Sequence, residues 1–303
     1  MRYAKPALAF PEQAAQLMGR GLIADRAALI RRLETVSYFR LSGYAFAFRT
    51  AGSDRFRTGT RLEHVWLRYT FDRALRLLVL DALERVEVDV RTQLVTELAI
   101  GSGPFGYLDP AHLPGLSAHQ HGRLLDRART ELQKSREDHA MHFKKKYAEH
   151  AHPPIWLMAE LSSFGTLREL FTGASSDVRV TVADRYQVAP HVLDSWLRAL
   201  TLVRNICAHH GRLWNKHLGH SPVIPRRSSK RPMSASWHHP IPTPEARIFP
   251  VMCALAHLMM VIAPESTWRT RVDDLVTRHA EIHPSEMGFP VGWRHHGLWN
   301  RYT

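Results

Sequence analysis

Apolar residues recur at spacings of three and four along nearly every long stretch of this chain, and runs of strict alternation are few, so the pattern predicts an all-α protein. A first helix is expected over Pro11 to Arg20 and a second over Asp25 to Val36. An aromatic cluster follows, Tyr38, Phe39, Tyr44, Phe46 and Phe48, with Gly43 expected to turn the chain. From Leu62 to Ala99 one long helix sets Leu67, Phe71, Leu75, Leu78, Ala82 and Val86 on a single core-facing stripe. Its polar side carries Glu84, Glu87 and Arg91, three and four residues apart and therefore in one row. The stretch GSGPFGYLDP, residues 101 to 110, reads as a loop.

Beyond that loop a helix is expected from Ser117 to Tyr147, ending in Lys144, Lys145 and Lys146, and a short one from Ile155 to Phe164 with Phe164-Gly165 as its stop. The next helix begins at Pro190, a residue suited to a first helical turn, and ends at Gly211, suited to the left-handed position after a C-cap. A wheel places Leu193, Trp196, Leu200, Val203 and Cys207 on its buried stripe, Arg204 at the stripe's edge, and Asn205 and His209 on nearly the opposite side. Residues 216 to 247 hold six prolines and read as a long basic loop with Lys216, Arg226, Arg227, Lys230 and Arg231. Two helices near 246 to 263 and 265 to 280 precede a tail containing MGFPVGW and GLWN, whose Trp293 and Trp299 are expected to pack onto the core. The chain is thus expected to divide into a helical domain, residues 1–215, and a basic loop plus helical extension, residues 216–303, packed on the same core.

Composition adds a partner to this outline. Hydrophobic residues at 45% allow a full core, and 41 Lys and Arg against 28 Asp and Glu leave a net charge of +13 before any of 20 histidines is protonated. A chain so basic gains affinity for polyanions, nucleic acid among them, by releasing their condensed counterions; the charge points to a polyanion without saying which one. The lysines at 144 to 146 and the basic residues of the 216 to 247 loop are the candidate phosphate contacts. Cys207 and Cys253 both fall in apolar helical patterns and act as small hydrophobes, not as a disulfide. The N-terminal stretch lacks a signal-peptide core, and the best apolar run, Ile248 to Ala263, is broken by Pro250 and His257, so a cytoplasmic protein without a membrane span is expected.

The densest chemistry lies in twelve residues, RNICAHHGRLWN, 204 to 215. His209 and His210 sit at the helix C-terminus, where the macrodipole favours an imidazolium that can donate a proton to a leaving 5′ oxygen or hold a phosphate. Arg204 offers planar donors to a non-bridging phosphate oxygen, and Asn205 can orient the 2′-hydroxyl or the histidine. A cation at the core's edge needs a partner, and Glu84 or Glu87 is the candidate. Arg91 and Arg212 complete the supporting charges. No metal or other cofactor is needed by this arrangement. The histidine pairs 209-210, 238-239 and 295-296, with His139 and His142, raise a metal site as an alternative, but they come without HExxH or CxxC companions. A serine or thiol hydrolase lacks its Gly-x-Ser-x-Gly, and Cys207 faces the core.

The segment RNICAHHGRLWN resembles the signature of the Abi-like abortive-infection family of prokaryotic defence proteins. Further blocks agree in order: YFRLSGYAFAFR at 38 to 49, FDRALRLLVLDALERVEVDVRTQL at 71 to 94, PPIWLMAELSSFGTLRELF at 153 to 171 and MGFPVGW at 287 to 293. That family is similar to the HEPN superfamily of helical bundles, whose ribonucleases carry Arg, a polar residue, a few variable positions and His; here Arg204, Asn205 and His209 fill those places. The resemblance implies a homodimer that pairs two such helices, and RNA cleavage by 2′-hydroxyl attack leaving a 2′,3′-cyclic phosphate. The alternative it leaves open is a non-catalytic module that holds a structured noncoding RNA, because some members of the superfamily do not cleave.

Overall fold

The computed structural model describes residues 6–245 and 247–300, and among them it is all-α, with only isolated bridges such as Ile23 to Arg61 outside the helices. Two units emerge from the pattern of contacts, residues 1–77 with 272–283 and residues 78–271 with 284–303.

In the first unit, α1 (Phe10–Gly19) buries Ala14 and Leu17, and α2 (Arg26–Val36) buries Leu29, Leu33 and Val36. The Asp25 carboxylate accepts from the Ala28 N–H and caps α2, supplying an acceptor to an otherwise orphan donor. The chain then turns at Ser37, whose φ is 66°, and α3 (Tyr38–Ala45) starts at once, with the Ser37 hydroxyl accepting from the Arg40 N–H. Gly43, expected as the turn, lies inside α3; the reversal is made by a serine that also serves as N-cap. The long helix α4 (Leu62–Ser102) contributes its residues up to Leu77 to this unit. Here it buries charge as well as hydrocarbon: Asp72 is fully buried, ion-paired with Arg76 and bonded at 2.5 Å by the Tyr44 hydroxyl.

The second unit holds the most apolar helix of the chain, Phe249–Ile262, buried along most of its length. After the 101–117 segment come α5 (Ala118–Lys134) and α6 (Asp138–Lys146), where a single helix from Ser117 to Tyr147 is expected. The break falls at Ser135, whose backbone is extended, and Lys144 Nζ turns back to donate to the Ser135 carbonyl at 2.8 Å. The short α7 (Ile155–Glu160) stops earlier than expected, and Phe164-Gly165 opens α8 (Phe164–Gly173) instead of closing α7, because the Ser163 hydroxyl accepts from the Thr166 N–H. Next is α9 (Ser176–Arg185), which sequence periodicity did not reveal, and then α10 (Pro190–Ala208), packed on both α8 and α9. The predicted stripe Leu193, Trp196, Leu200, Val203 and Cys207 is buried throughout, at 1% exposure or less.

The basic loop is tied down rather than free. Its Trp237, in a short 3-10 turn, is fully buried and stacks on Trp196 with ring centroids 5.1 Å apart. The Trp237 indole donates to His257 Nδ1 at 3.0 Å, from α11 (Phe249–Ile262), and His257 Nε2 donates to the Tyr186 carbonyl at 2.8 Å. Both imidazole nitrogens are thereby used by the neutral ring, and burial lowers the histidine's pKa to about 4. Trp293 and Trp299 are buried against Phe289 and Phe249, in the packing role expected of them. The last helix, α12 (Trp268–Arg278), leaves the second unit at Arg271. No helix among the described residues is long and apolar enough to cross a membrane.

Candidate active site

The site is built at the end of α10. Ala208 is its last helical residue and His209 its C-cap. The chain leaves by a Schellman turn: the His210 N–H donates to the Cys207 carbonyl at 3.0 Å and the Gly211 N–H to the Ile206 carbonyl at 2.7 Å. The left-handed residue of that turn is His210, with φ 59°, and not Gly211 as the sequence predicts. Glycine suits 211 for another reason, since a Cβ there would crowd the Ile206 carbonyl oxygen at 3.1 Å. A histidine held at positive φ is a position where local comfort yields to something else, and the turn leaves both His209 and His210 exposed at the carbonyl end of the helix.

On the neighbouring face, Arg204 meets α4. Its Nε stands 3.7 Å from Glu87 Oε2, while Glu87 Oε1 accepts from Arg91 Nη2 at 3.1 Å and Arg91 Nη1 lies 3.7 Å from Glu160 Oε2. Of the two glutamates expected to face Arg204, it is Glu87 that stands within ion-pair distance; Glu84 is exposed and lines the same pocket. That pocket, of about 420 Å³, is walled by Leu80, Val88 and Ala208 together with Glu84, Glu87, Arg91 and Arg204. Glu87 is only 14% exposed and shared by two arginines, so it holds Arg204 in place while leaving 37% of that side chain in water. Arg204 Nη1 also reaches Asn205 Oδ1 at 3.5 Å.

The structure therefore gathers Arg204, Glu84, Glu87 and Arg91 around one opening, with Asn205 at its edge. His209, His210 and Arg212 are close in the chain but do not line that pocket; the Arg212 guanidinium lies 6.0 Å from the buried Trp214 ring, whose indole donates to Glu286 at 3.0 Å. Glu160 joins the cluster without a signal in the sequence, because it comes from α7, far from Arg91 along the chain. The predicted phosphate contacts lie elsewhere. Arg226, Arg227 and Arg231 line a separate cavity of about 440 Å³, although Arg231 is also ion-paired with Asp184 at 2.8 Å. Lys230 is exposed and Lys216 half-buried, Lys145 and Lys146 are exposed on α6, and Lys144 is engaged by the backbone it bridges. Among the described residues, no three His, Cys, Asp or Glu side chains are grouped so that they could hold a metal ion.

A family model described as Abi-like protein matches residues 31–215, more than half of the chain and including α10 and the Arg204 pocket. No curated protein and no solved structure matches the chain.

Proposed function

Because the chain belongs to the Abi-like protein family, which associates it with abortive-infection defence, we propose that it acts there as a metal-independent endoribonuclease with Arg204, Asn205 and His209 at its centre. The observation that carries this reading is the arrangement at the end of α10: an arginine positioned by Glu87 at an open pocket, followed one turn later by histidines turned out into water. The guanidinium would bind a non-bridging oxygen of the scissile phosphate. The 2′-hydroxyl attacks phosphorus and gives its proton to solvent water, the bond to the 5′ oxygen breaks, and the His209 imidazolium protonates that oxygen. The products are a 2′,3′-cyclic phosphate and a 5′-hydroxyl, and every atom is accounted for without redox chemistry or a cofactor. Glu87 and Arg91 are positioning residues in this scheme, and Glu84 supports the rim. The apolar wall of Leu80 and half-exposed Val88 beside Arg204 favours a second copy of the chain covering this face, which would bring two α10 ends together as a homodimer.

The test incubates purified protein with RNA in EDTA and maps the ends. Wild-type protein is expected to generate cyclic-phosphate ends, and His209→Ala to lower the rate by about 10²- to 10⁴-fold without loss of fold. Should EDTA abolish cleavage and a divalent ion restore it, the metal-independent scheme fails. A second reading, an RNA-holding module that does not cut, is favoured by the separate arginine-lined cavity at Arg226, Arg227 and Arg231. Its mark would be graded losses of affinity from substitutions there, with RNA left intact.

A further inference from the structure

The second unit holds another cavity, of about 540 Å³, whose lining is of a different kind from the Arg204 pocket. It forms where α6 ends. The His150 N–H bonds back to the Tyr147 carbonyl at 3.0 Å, and the Ile155 N–H donates to the Pro104 carbonyl at 2.8 Å, seating the start of α7 beside the 103–105 segment. Two flat rings, Phe105 and His150, lie parallel on its wall with centroids 4.7 Å apart and an interplanar angle of 3°. Phe143 is buried beneath, while Trp156 and Tyr147 remain 52% and 44% exposed at the rim. Large rings left half in water around a concave opening are a stacking platform looking for a flat partner.

The charges around the opening narrow the partner further. The last turn of α6 carries Lys144, Lys145 and Lys146; the first is engaged by the Gln133 and Ser135 carbonyls, Lys145 is exposed, and the exposed Lys146 sets its Nζ 5.3 Å from the centre of the Tyr147 ring at the rim. Glu160 is the acidic member of the lining, and its Oε2 lies 3.7 Å from Arg91, a wall residue of the Arg204 pocket. π faces, adjacent cations and one carboxylate at the edge match the three chemistries of a nucleotide: a ring to stack, a phosphate to neutralise, and an amino-bearing base edge that donates. We propose that this cavity receives one unpaired nucleobase of an RNA strand, stacked against Trp156 and Tyr147, with flanking phosphates on Lys145 and Lys146 and the base edge donating to Glu160. An apolar side chain of a protein would use the rings but bring no anion to Lys145 and Lys146. The proposal rests on the RNA-directed reading above and deepens it, because the Arg91 to Glu160 contact joins the base cavity to the positioning network of Arg204.

Binding is measured with the full chain by fluorescence anisotropy, using a short single-stranded oligonucleotide of 2′-O-methyl RNA, which cannot undergo 2′-hydroxyl attack, and a matching strand whose bases are replaced by abasic sugars. The expected result is that Trp156→Ala weakens binding of the parent strand about tenfold, the scale of one lost base stack. Trp156→Phe should keep most of the affinity and the abasic strand should bind like the parent strand does to Trp156→Ala. Lys145→Ala and Lys146→Ala should each lower the slope of log affinity against log salt by about 0.7. Tyr147→Ala provides an independent rim variant, and thermal melts confirm that each variant is folded. Equal binding of parent and abasic strands, or wild-type affinity in both Trp156→Ala and Tyr147→Ala, would overturn the proposal, and so would wild-type protein that binds neither strand. Unmodified RNA that binds through Trp156 yet stays uncut would defeat the ribonuclease reading alone.

Discussion

On α4, Asp72 and Arg76 form an ion pair closed over by Tyr44 in one unit, whereas Glu87 and Arg91 in the other form an ion pair that opens onto a pocket shared with Arg204. The ingredients and the four-residue spacing are the same. In the closed cluster the carboxylate is fully buried, its Oδ2 accepts from both a phenol and a guanidinium, and burial together with the Asp72 charge raises the Tyr44 pKa so that the phenol stays protonated. Only 8% of the Arg76 side chain is left to solvent, so the work of that set is to fix how α3 meets α4. In the open cluster the acid is 14% exposed and shared between two arginines, and the second of these comes from α10 with a third of it facing water. The same chemistry thus becomes scaffold when every polar atom is enclosed, and a candidate site when one cation is held fast with a face left over.

The contrast is broken most sharply by Asp72→Ala. Removing the acid leaves the Arg76 cation buried without its counter-charge and the Tyr44 hydroxyl without the carboxylate it donates to, a defect that costs about 3–5 kcal/mol in buried pairs. Denaturant melts should show that loss, and RNA cleavage per folded molecule should stay at the wild-type value. A variant as stable as wild type would mean that the closed cluster holds nothing together.

These two clusters also show what could be read from sequence. The apolar stripe of α10 was legible because it repeats with a helical period from Leu193 to Cys207, and each member is buried as the wheel requires. Glu87 was legible as a partner for Arg204 because the acidic row on α4 was itself periodic, although the choice between Glu84 and Glu87 depended on where α10 crosses α4. Asp72 and Arg76 were not, because a polar residue inside a stripe looks like a solvated one until Tyr44, 28 residues earlier, is brought against it. The break at Ser135 was hidden for a similar reason: no Gly or Pro marks it, and the lysine that seals it is nine residues on. The αL position at His210 runs against local preference, so glycine at 211 drew the expectation one residue too far. In α9 only Val182 and Ala183 are buried, too few to give a period.

A second buried polar set, around His257, makes stability depend on pH. His257 receives the Trp237 indole on Nδ1 and gives its own proton to the Tyr186 carbonyl, so a second proton on the ring would face a donor. Its pKa is lowered to about 4 in the folded chain, against about 6.5 when unfolded. The unfolded state therefore binds more protons between those values, and the stabilisation, complete above pH about 6.5, is lost as pH falls toward 4, by about 3 kcal/mol at most. Denaturant melts across pH 7 to 4 should show that decline, with Trp237 fluorescence reporting release of the basic loop. A His257→Gln variant should start less stable at pH 7 and decline less steeply on acidification; an identical pH slope in both proteins would remove His257 from the account.

The smallest expected effect, and the one that separates scaffold from site most finely, belongs to Glu87→Gln. The Glu87 to Arg204 distance of 3.7 Å and the arginine's exposure place that pair among contacts worth under about 1 kcal/mol to stability. The amide keeps an oxygen for Arg91 but surrenders the charge that steadies Arg204, so melts should barely move while cleavage falls several-fold. Under the proposed ribonuclease reading the fall should appear in kcat, because a poorly placed guanidinium would still attract RNA but would meet the phosphate less often in the transition state. A drop confined to KM would instead make the Glu87 network part of RNA binding, and a stability loss as large as that of Asp72→Ala would erase the distinction between the two clusters and return Glu87 to the core.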